Sequence, residues 1–140
     1  MTFDDSCIFC KIVKKQMPSS IIYEDKTVVA FLDIRPINLG HSLVVPRSHF
    51  IDIFDIPENE LCSVYKVSKL IAPAIKKAAE ADGISIIQQN GKPAGQDIFH
   101  LHVHVVPRFE GQKMPNFHDL KSIERDVLDD MAKRIRHNLS

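Results

Sequence analysis

Apolar residues fall into short clusters along the first third of the chain, and the spacing inside each cluster predicts an element. "IIYED" and "TVVAFLDI" are rich in β-branched and aromatic residues, and the turn-prone Glu24-Asp25-Lys26 between them predicts a hairpin. "RPINLG" follows as a loop, and "HSLVVP", residues 41–46, reads as a third strand ended by Pro46. Leu61, Val64, Tyr65, Leu70, Ile71, Ile75, Ala78 and Ala79 recur at helical spacing. They predict one long helix from Pro57 to Ala81, stopped by Asp82-Gly83 and kinked or divided at Pro73.

"ISIIQQ" then predicts a fourth strand, "NGKPAGQD" a loop, and "FHLHVHVVP" a fifth strand. The closing "DLKSIERDVLDDMAKRIRHNLS" reads as a charged amphipathic helix over about residues 119–137. Ahead of the first strand, "CIFCKIVKKQ" is a short helix or a turn leading into one, closed by Pro18 and two serines. Strands that are mostly neighbours in sequence call for short antiparallel connections. The expected class is therefore α+β, with a five-stranded antiparallel sheet, one long helix and a C-terminal helix.

At 140 residues the chain is sized for one domain spanning 1–140, and no linker or low-complexity tract divides it. Eighteen basic residues balance eighteen acidic ones and are spread out, which excludes a basic footprint for nucleic acid or membranes. The N-terminus puts acidic residues before a short apolar stretch, unlike a signal peptide, so a soluble cytoplasmic protein is expected. Three cysteines, with Cys7 and Cys10 only three apart, fit metal or redox chemistry in a reducing compartment better than a disulfide framework. Cys62 stands apart and is expected to pack in the core.

The sharpest feature is "HLHVHVVPR", residues 100–108. On a strand, His100, His102 and His104 share one face while Leu101, Val103 and Val105 share the other. At about 3.3 Å of rise per residue the outer α-carbons stand roughly 13 Å apart, so one metal ion engages two neighbours rather than all three. Histidine titrates near neutrality and serves as nucleophile, acid, base or donor, and a group of three suits proton transfer on an anionic substrate. Gly91 and Gly95 just upstream are positioned to let backbone N–H groups approach a phosphate. The sequence also repeats itself: HSLVVPR (41–47) echoes HVHVVPR (102–108), as if two strands delivered a histidine to one place.

"HLHVHVVPR", the preceding "NGKPAGQDIF" and the earlier "FLDIRPINLGHSLVVPRSH" closely resemble the histidine triad (HIT) superfamily, with apolar residues alternating between three histidines. The likeness runs from about Cys7 to Arg108. It implies a homodimer acting at the α-phosphate of nucleoside 5′-phosphate derivatives, with a purine nucleotide of AMP type as ligand and no organic cofactor. By this resemblance His102 is the nucleophile that becomes nucleotidylated, and His104 and His41 contact phosphate or handle protons. Asp33 holds the ribose hydroxyls, Gln89 reaches the phosphate or leaving group, and Gly95 and Gln96 belong to the site's glycine loop. Asp97 departs from the Ser or Thr of well-known branches, and a carboxylate there repels phosphate unless protonated or turned away.

Some branches also bind a structural zinc ion, and the corresponding ligands here are Cys7, Cys10, His49 and His100. The resemblance leaves the leaving group open, with the loop "FEGQKMPNFHD" (109–119) as the candidate selector. Two rival readings are a nucleotide-binding module that presents its dimer surface or C-terminal helix to another protein, and a catalytic metal site built from the histidines.

Overall fold

A computed structural model provides the structure and describes residues 1–116 and 119–139. Phe117 and His118, in the loop expected to select the leaving group, and Ser140 at the end of the expected C-terminal helix lie outside the described residues. The elements run α1 (Ile8–Val13), β1 (Ile21–Glu24), β2 (Val28–Leu32), β3 (Ser42–Pro46), α2 (Glu58–Ala78), β4 (Gly83–Gln88), β5 (Val103–Arg108) and α3 (Arg125–His137). A 3-10 turn, Lys92–Ala94, lies between β4 and β5. The strands form one antiparallel sheet in the order β1-β2-β3-β5-β4, in agreement with the expected α+β class.

Alternation along the strands sorts the core into two layers. Val28, Ala30, Leu32, Val44, Leu101, Val103 and Val105 point to one side, where α2 and α3 cover them. Val29, Phe31, Leu43 and Val45 point to the other, where α1 lays Phe9, Ile12 and Val13 on them. Because Leu43 pairs with His104, that histidine shares the α1 side. The same parity carried one residue past the ends of β2, β3 and β4 puts Asp33, His41 and Gln89 there too. Four strands thus deliver the chemistry to one face.

Several expectations change. The α2 helix runs unbroken through Pro73, which lies on its exposed side, away from the core where a lost backbone bond costs most. It ends at Ala78, with Glu80 at φ +53°, ahead of the predicted stop. Cys62 is exposed rather than packed in the core, since the buried stripe of α2 passes through Val64, Val67, Ile71 and Ile75. The C-terminal helix begins only at Arg125, after an extended segment whose Ile123 N–H bonds the Ile34 carbonyl. It is docked by Ser20, whose hydroxyl donates to Asp129 at 2.6 Å and accepts from Arg125 at 2.8 Å.

The fifth strand starts at Val103, not at Phe99. His100 and His102 therefore precede the paired register, and Leu101 N–H bonds the Phe50 carbonyl at 2.7 Å. They are not on a solvated face either: His100 is 0% and His102 5% exposed, beneath α1. Leu101, fully buried on the opposite side, backs this segment against α2 and α3. Leu101→Ala is expected to cost about 2–5 kcal/mol in urea unfolding, and a loss under about 1 kcal/mol would contradict this packing.

Candidate functional site

His41, His100 and His102 each have one ring nitrogen tied to the main chain, the main-chain group decides where the proton sits, and His104 is set through His41. A carbonyl can only accept and an amide N–H can only donate. His102 Nδ1 lies 2.8 Å from the His100 carbonyl, so Nδ1 carries the proton and Nε2 keeps a bare lone pair. His41 Nδ1 accepts the Ile37 N–H at 3.0 Å, so its proton is on Nε2. That proton is donated to His104 Nδ1 at 3.0 Å, which leaves His104 with its own proton on Nε2. The rings of His102 and His104 are 4.8 Å apart between centroids, so a bare nitrogen stands beside an N–H donor.

Burial keeps these rings neutral. It pushes His41 down to about 3 and His104 down to about 4, the neighbouring histidines adding to the effect, and it also lowers His102. The 3.6 Å contact between His41 Nε2 and Asp33 Oδ2 is therefore not an ion pair at neutral pH. Asp33 is pushed up to about 6 by burial, with the Asp97 carboxylate adding to the rise, while the Arg35 N–H bonded at 2.9 Å pulls the other way. Asp97 itself is exposed, and its charge also reaches His102 and His104.

The glycine loop departs from expectation. Gly91 N–H donates to Gln96 Oε1 at 2.8 Å, and Gly95 N–H donates to the Lys92 carbonyl at 3.0 Å. Both amides are spent inside the loop because the 3-10 turn closes it on itself. Gln96 is buried, and its Nε2 bonds the carbonyls of Ile51 and Ile98, so its side chain fastens the loop to the residues after β3. Gly95 has φ +97°, and a Cβ there would lie 2.6 Å from Gln89 Nε2. The missing side chain is what lets the Gln89 amide lie against the loop.

A second cluster joins Cys7, Cys10, His49 and His100, whose ligand atoms all lie within 4.8 Å of one another. His100 Nε2 faces the Pro46 carbonyl at 2.8 Å, so the proton is there and the Nδ1 lone pair points at the two sulfurs. The Sγ to Nδ1 distances are 3.4 Å for Cys7–His100, 3.6 Å for Cys10–His100 and 3.4 Å for Cys10–His49. Tetrahedral zinc with ordinary Zn–S and Zn–N bonds needs such edges to be about 3.6 Å. Burial, with the neighbouring Cys7 adding to the effect, pushes the Cys10 thiol up to about 11, so its thiolate needs a cation beside it. Donor types, lone pairs and spacing all fit zinc.

Asp33, His41 and His104 also come within metal-binding distance of one another, but with the opposite electronics. His41 Nε2 carries a proton there and has no lone pair to offer, which argues against a catalytic ion held by these histidines. Phe9, between the two cysteines, escaped the sequence reading. Its ring meets His102 edge-on at 5.1 Å and His100 at 5.9 Å. Its place inside the Cys-x-x-Cys was the available signal.

Comparison with known proteins matches residues 14–111 to the HIT domain family. An uncharacterized HIT-like protein of Methanocaldococcus jannaschii is 41% identical over 131 residues, covering 93% of this chain and 98% of that one. An adenosine 5′-monophosphoramidase of Saccharomyces cerevisiae is 40% identical over 107 residues, 76% of this chain and 65% of its own. Among solved structures, a zinc-bound histidine triad family protein of Mycobacterium smegmatis is 37% identical with a TM-score of 0.85, covering 96% of this chain and 93% of that one.

Two outcomes follow from the geometry. Gly95→Ala should strain the left-handed backbone and displace Gln89, costing about 1–3 kcal/mol in thermal or urea unfolding; wild-type stability would contradict it. The second concerns pH. As pH falls below the ordinary histidine value of 6.5, the unfolded chain binds protons that buried His41 and His104 refuse, so stability drops toward pH 4. Asp33 opposes this between about 6 and 3.8, where the folded chain holds a proton the unfolded one has released, but it is one group against all the lowered histidines, His100 and His102 included. The urea midpoint should be level above about pH 7 and fall below it, less steeply in His41→Gln. A midpoint level to pH 4.5 (roughly) would contradict neutral buried histidines.

Proposed function

The chain belongs to the HIT family, and with that as premise we propose that it cleaves nucleoside 5′-phosphate derivatives at the α-phosphate through a nucleotidyl-His102 intermediate. The observation that carries this reading is the paired state of two rings: His102 with a bare Nε2 held by the His100 carbonyl, and His104 with an Nε2–H beside it. The His102 lone pair attacks phosphorus, an N–P bond forms, and the bond from phosphorus to the leaving group breaks, the leaving group departing with its electron pair and an amine taking up a proton from solvent as it goes. The His104 Nε2–H donates to a phosphoryl oxygen as charge gathers there. Water then attacks phosphorus and releases a proton to solvent, the N–P bond breaks, and His102 regains its lone pair.

The remaining residues take supporting roles in this reading. His41 fixes the His104 tautomer, and Asp33, ionised above about pH 6, accepts from the ribose hydroxyls of an AMP-type nucleotide. Gln89 reaches the phosphate from its seat on Gly95, while Gln96 holds the loop. The charge of Asp97 faces the histidines, so it disfavours anionic leaving groups and favours an amine over a polyphosphate. The monophosphoramidase named above is in keeping with that preference. Zinc held by Cys7, Cys10, His49 and His100 would supply a rigid tetrahedral anchor at the start of the histidine segment.

We further read residues 1–140 as one domain working in the reducing cytoplasm, where three free thiols are at home. No helix among the described residues is long and apolar enough to cross a membrane. Two copies are proposed to pair along β4, the sheet's last strand. Beside its outer edge a groove of about 560 Å³ is lined by Tyr65, Ala72, Pro73, Ile84 and Ile86.

Wild-type and His102→Ala protein should be compared on adenosine 5′-phosphoramidate, diadenosine tetraphosphate and an aminoacyl adenylate. The expected result is turnover by wild type, fastest on the phosphoramidate, and a loss of about 10⁴-fold or more in His102→Ala with AMP still bound. Equal turnover by the variant would sink the mechanism. Tight nucleotide binding with no turnover on any substrate would move the reading to a nucleotide-binding interaction module.

A further inference from the structure

The sheet does not hold the nucleophile. The paired register of β5 begins at Val103, and the segment carrying His100 and His102 lies outside it. The His102 ring meets the His104 ring at 4.8 Å and two further groups, and those two come from the cysteine–histidine cluster. One is the backbone carbonyl of His100, whose side chain is one of the four candidate ligands. The other is Phe9, which stands between Cys7 and Cys10 and meets the His102 ring at 5.1 Å and 83°. Phe9 is itself pinned against Phe31 of β2 at 5.4 Å and buried.

We propose that the Cys7–Cys10–His49–His100 cluster is the positioning frame of the nucleophile, acting on His102 through the His100 carbonyl and the Phe9 ring. This deepens the hydrolase reading above and rests on it. The physical route is short. The Pro46 carbonyl and the two sulfurs hold the His100 ring at both nitrogens, which removes its rotation and fixes the peptide whose oxygen accepts the His102 Nδ1–H. The two cysteines fasten both ends of the first turn of α1, so the Phe9 ring is held at one height against His102, near-perpendicular to it. With the cluster intact, His102 holds its proton on Nδ1 and its lone pair toward the site. With it open, the segment has Leu101 N–H on Phe50 but nothing from the cluster to select one ring orientation, and the two tautomers mix.

This assigns the cluster more than stability, and the two are separable. The direct readout is ¹⁵N-histidine NMR of the zinc-loaded and chelator-stripped protein without substrate, the His102 signals being identified by their loss in His102→Ala. Loaded protein should show His102 as the Nδ1–H tautomer. Stripped protein whose sheet amides remain dispersed should show a mixture, and single-turnover formation of the nucleotidyl enzyme from adenosine 5′-phosphoramidate should slow by about tenfold or more.

Phe9→Leu in loaded protein keeps all four ligands and most of the apolar volume, so it tests the frame even if stripping unfolds the chain. It should lower kcat by about tenfold with KM within about twofold, and mix the His102 tautomers. Phe9→Leu with wild-type kcat and an unmixed tautomer overturns the proposal, as does a folded, stripped protein with the same tautomer and single-turnover rate. Because the tautomer is read without substrate, a wild type that turns over nothing but shows the expected tautomer change defeats the hydrolase reading and not this one.

Discussion

A main-chain carbonyl cannot give a proton and a main-chain amide cannot take one, and the site depends on that asymmetry. Three such contacts, from His102 to the His100 carbonyl, from His100 to the Pro46 carbonyl and from Ile37 N–H to His41, assign the protons of the buried rings and, through His41, of His104. In the proposed reading the same residue type serves as nucleophile at 102, donor at 104, relay at 41 and metal ligand at 100. Each of these neutral rings has one tautomer that satisfies its neighbours. The backbone thereby does what no choice of side chain alone could do.

These contacts need the rings to stay neutral, and the layering of the fold ensures it. With α2 and α3 on one side of the sheet and α1 on the other, the histidine side becomes an interior surface, and burial lowers the affinity of His41, His100, His102 and His104 for a second proton. The short helix α1 is central to this. Its apolar residues close the second layer, and its N-cap Cys7 and its Cys10 reach the thiol–imidazole cluster.

The alternation of apolar and polar residues made the five strands legible, and their order in sequence made the antiparallel α+β class legible. The three alternating histidines could be placed on one face because parity is a local property, whereas the grouping of Cys7, Cys10, His49 and His100 was legible only through the resemblance to the HIT superfamily. What escaped was set by partners far along the chain. Nothing near His100 in sequence announces that the Pro46 carbonyl will accept its Nε2–H, or that β5 pairing starts only at Val103. The Gly91 and Gly95 amides looked available to an anion because a sequence does not reveal that Gln96 and Lys92 will claim them. Cys62 looked like core because the phase of α2 is fixed by its packing on the sheet and not by any one residue.

The account turns on covalent catalysis at His102, and the stereochemical course at phosphorus tests it most directly. Each in-line displacement inverts the phosphorus, so a reaction through a nucleotidyl-histidine, having two, returns the starting configuration. Hydrolysis of a P-chiral adenosine 5′-phosphorothioamidate in isotopically labelled water should proceed with net retention. Net inversion would mean that water attacks in a single step, with no nucleotidyl-His102, and would contradict the account.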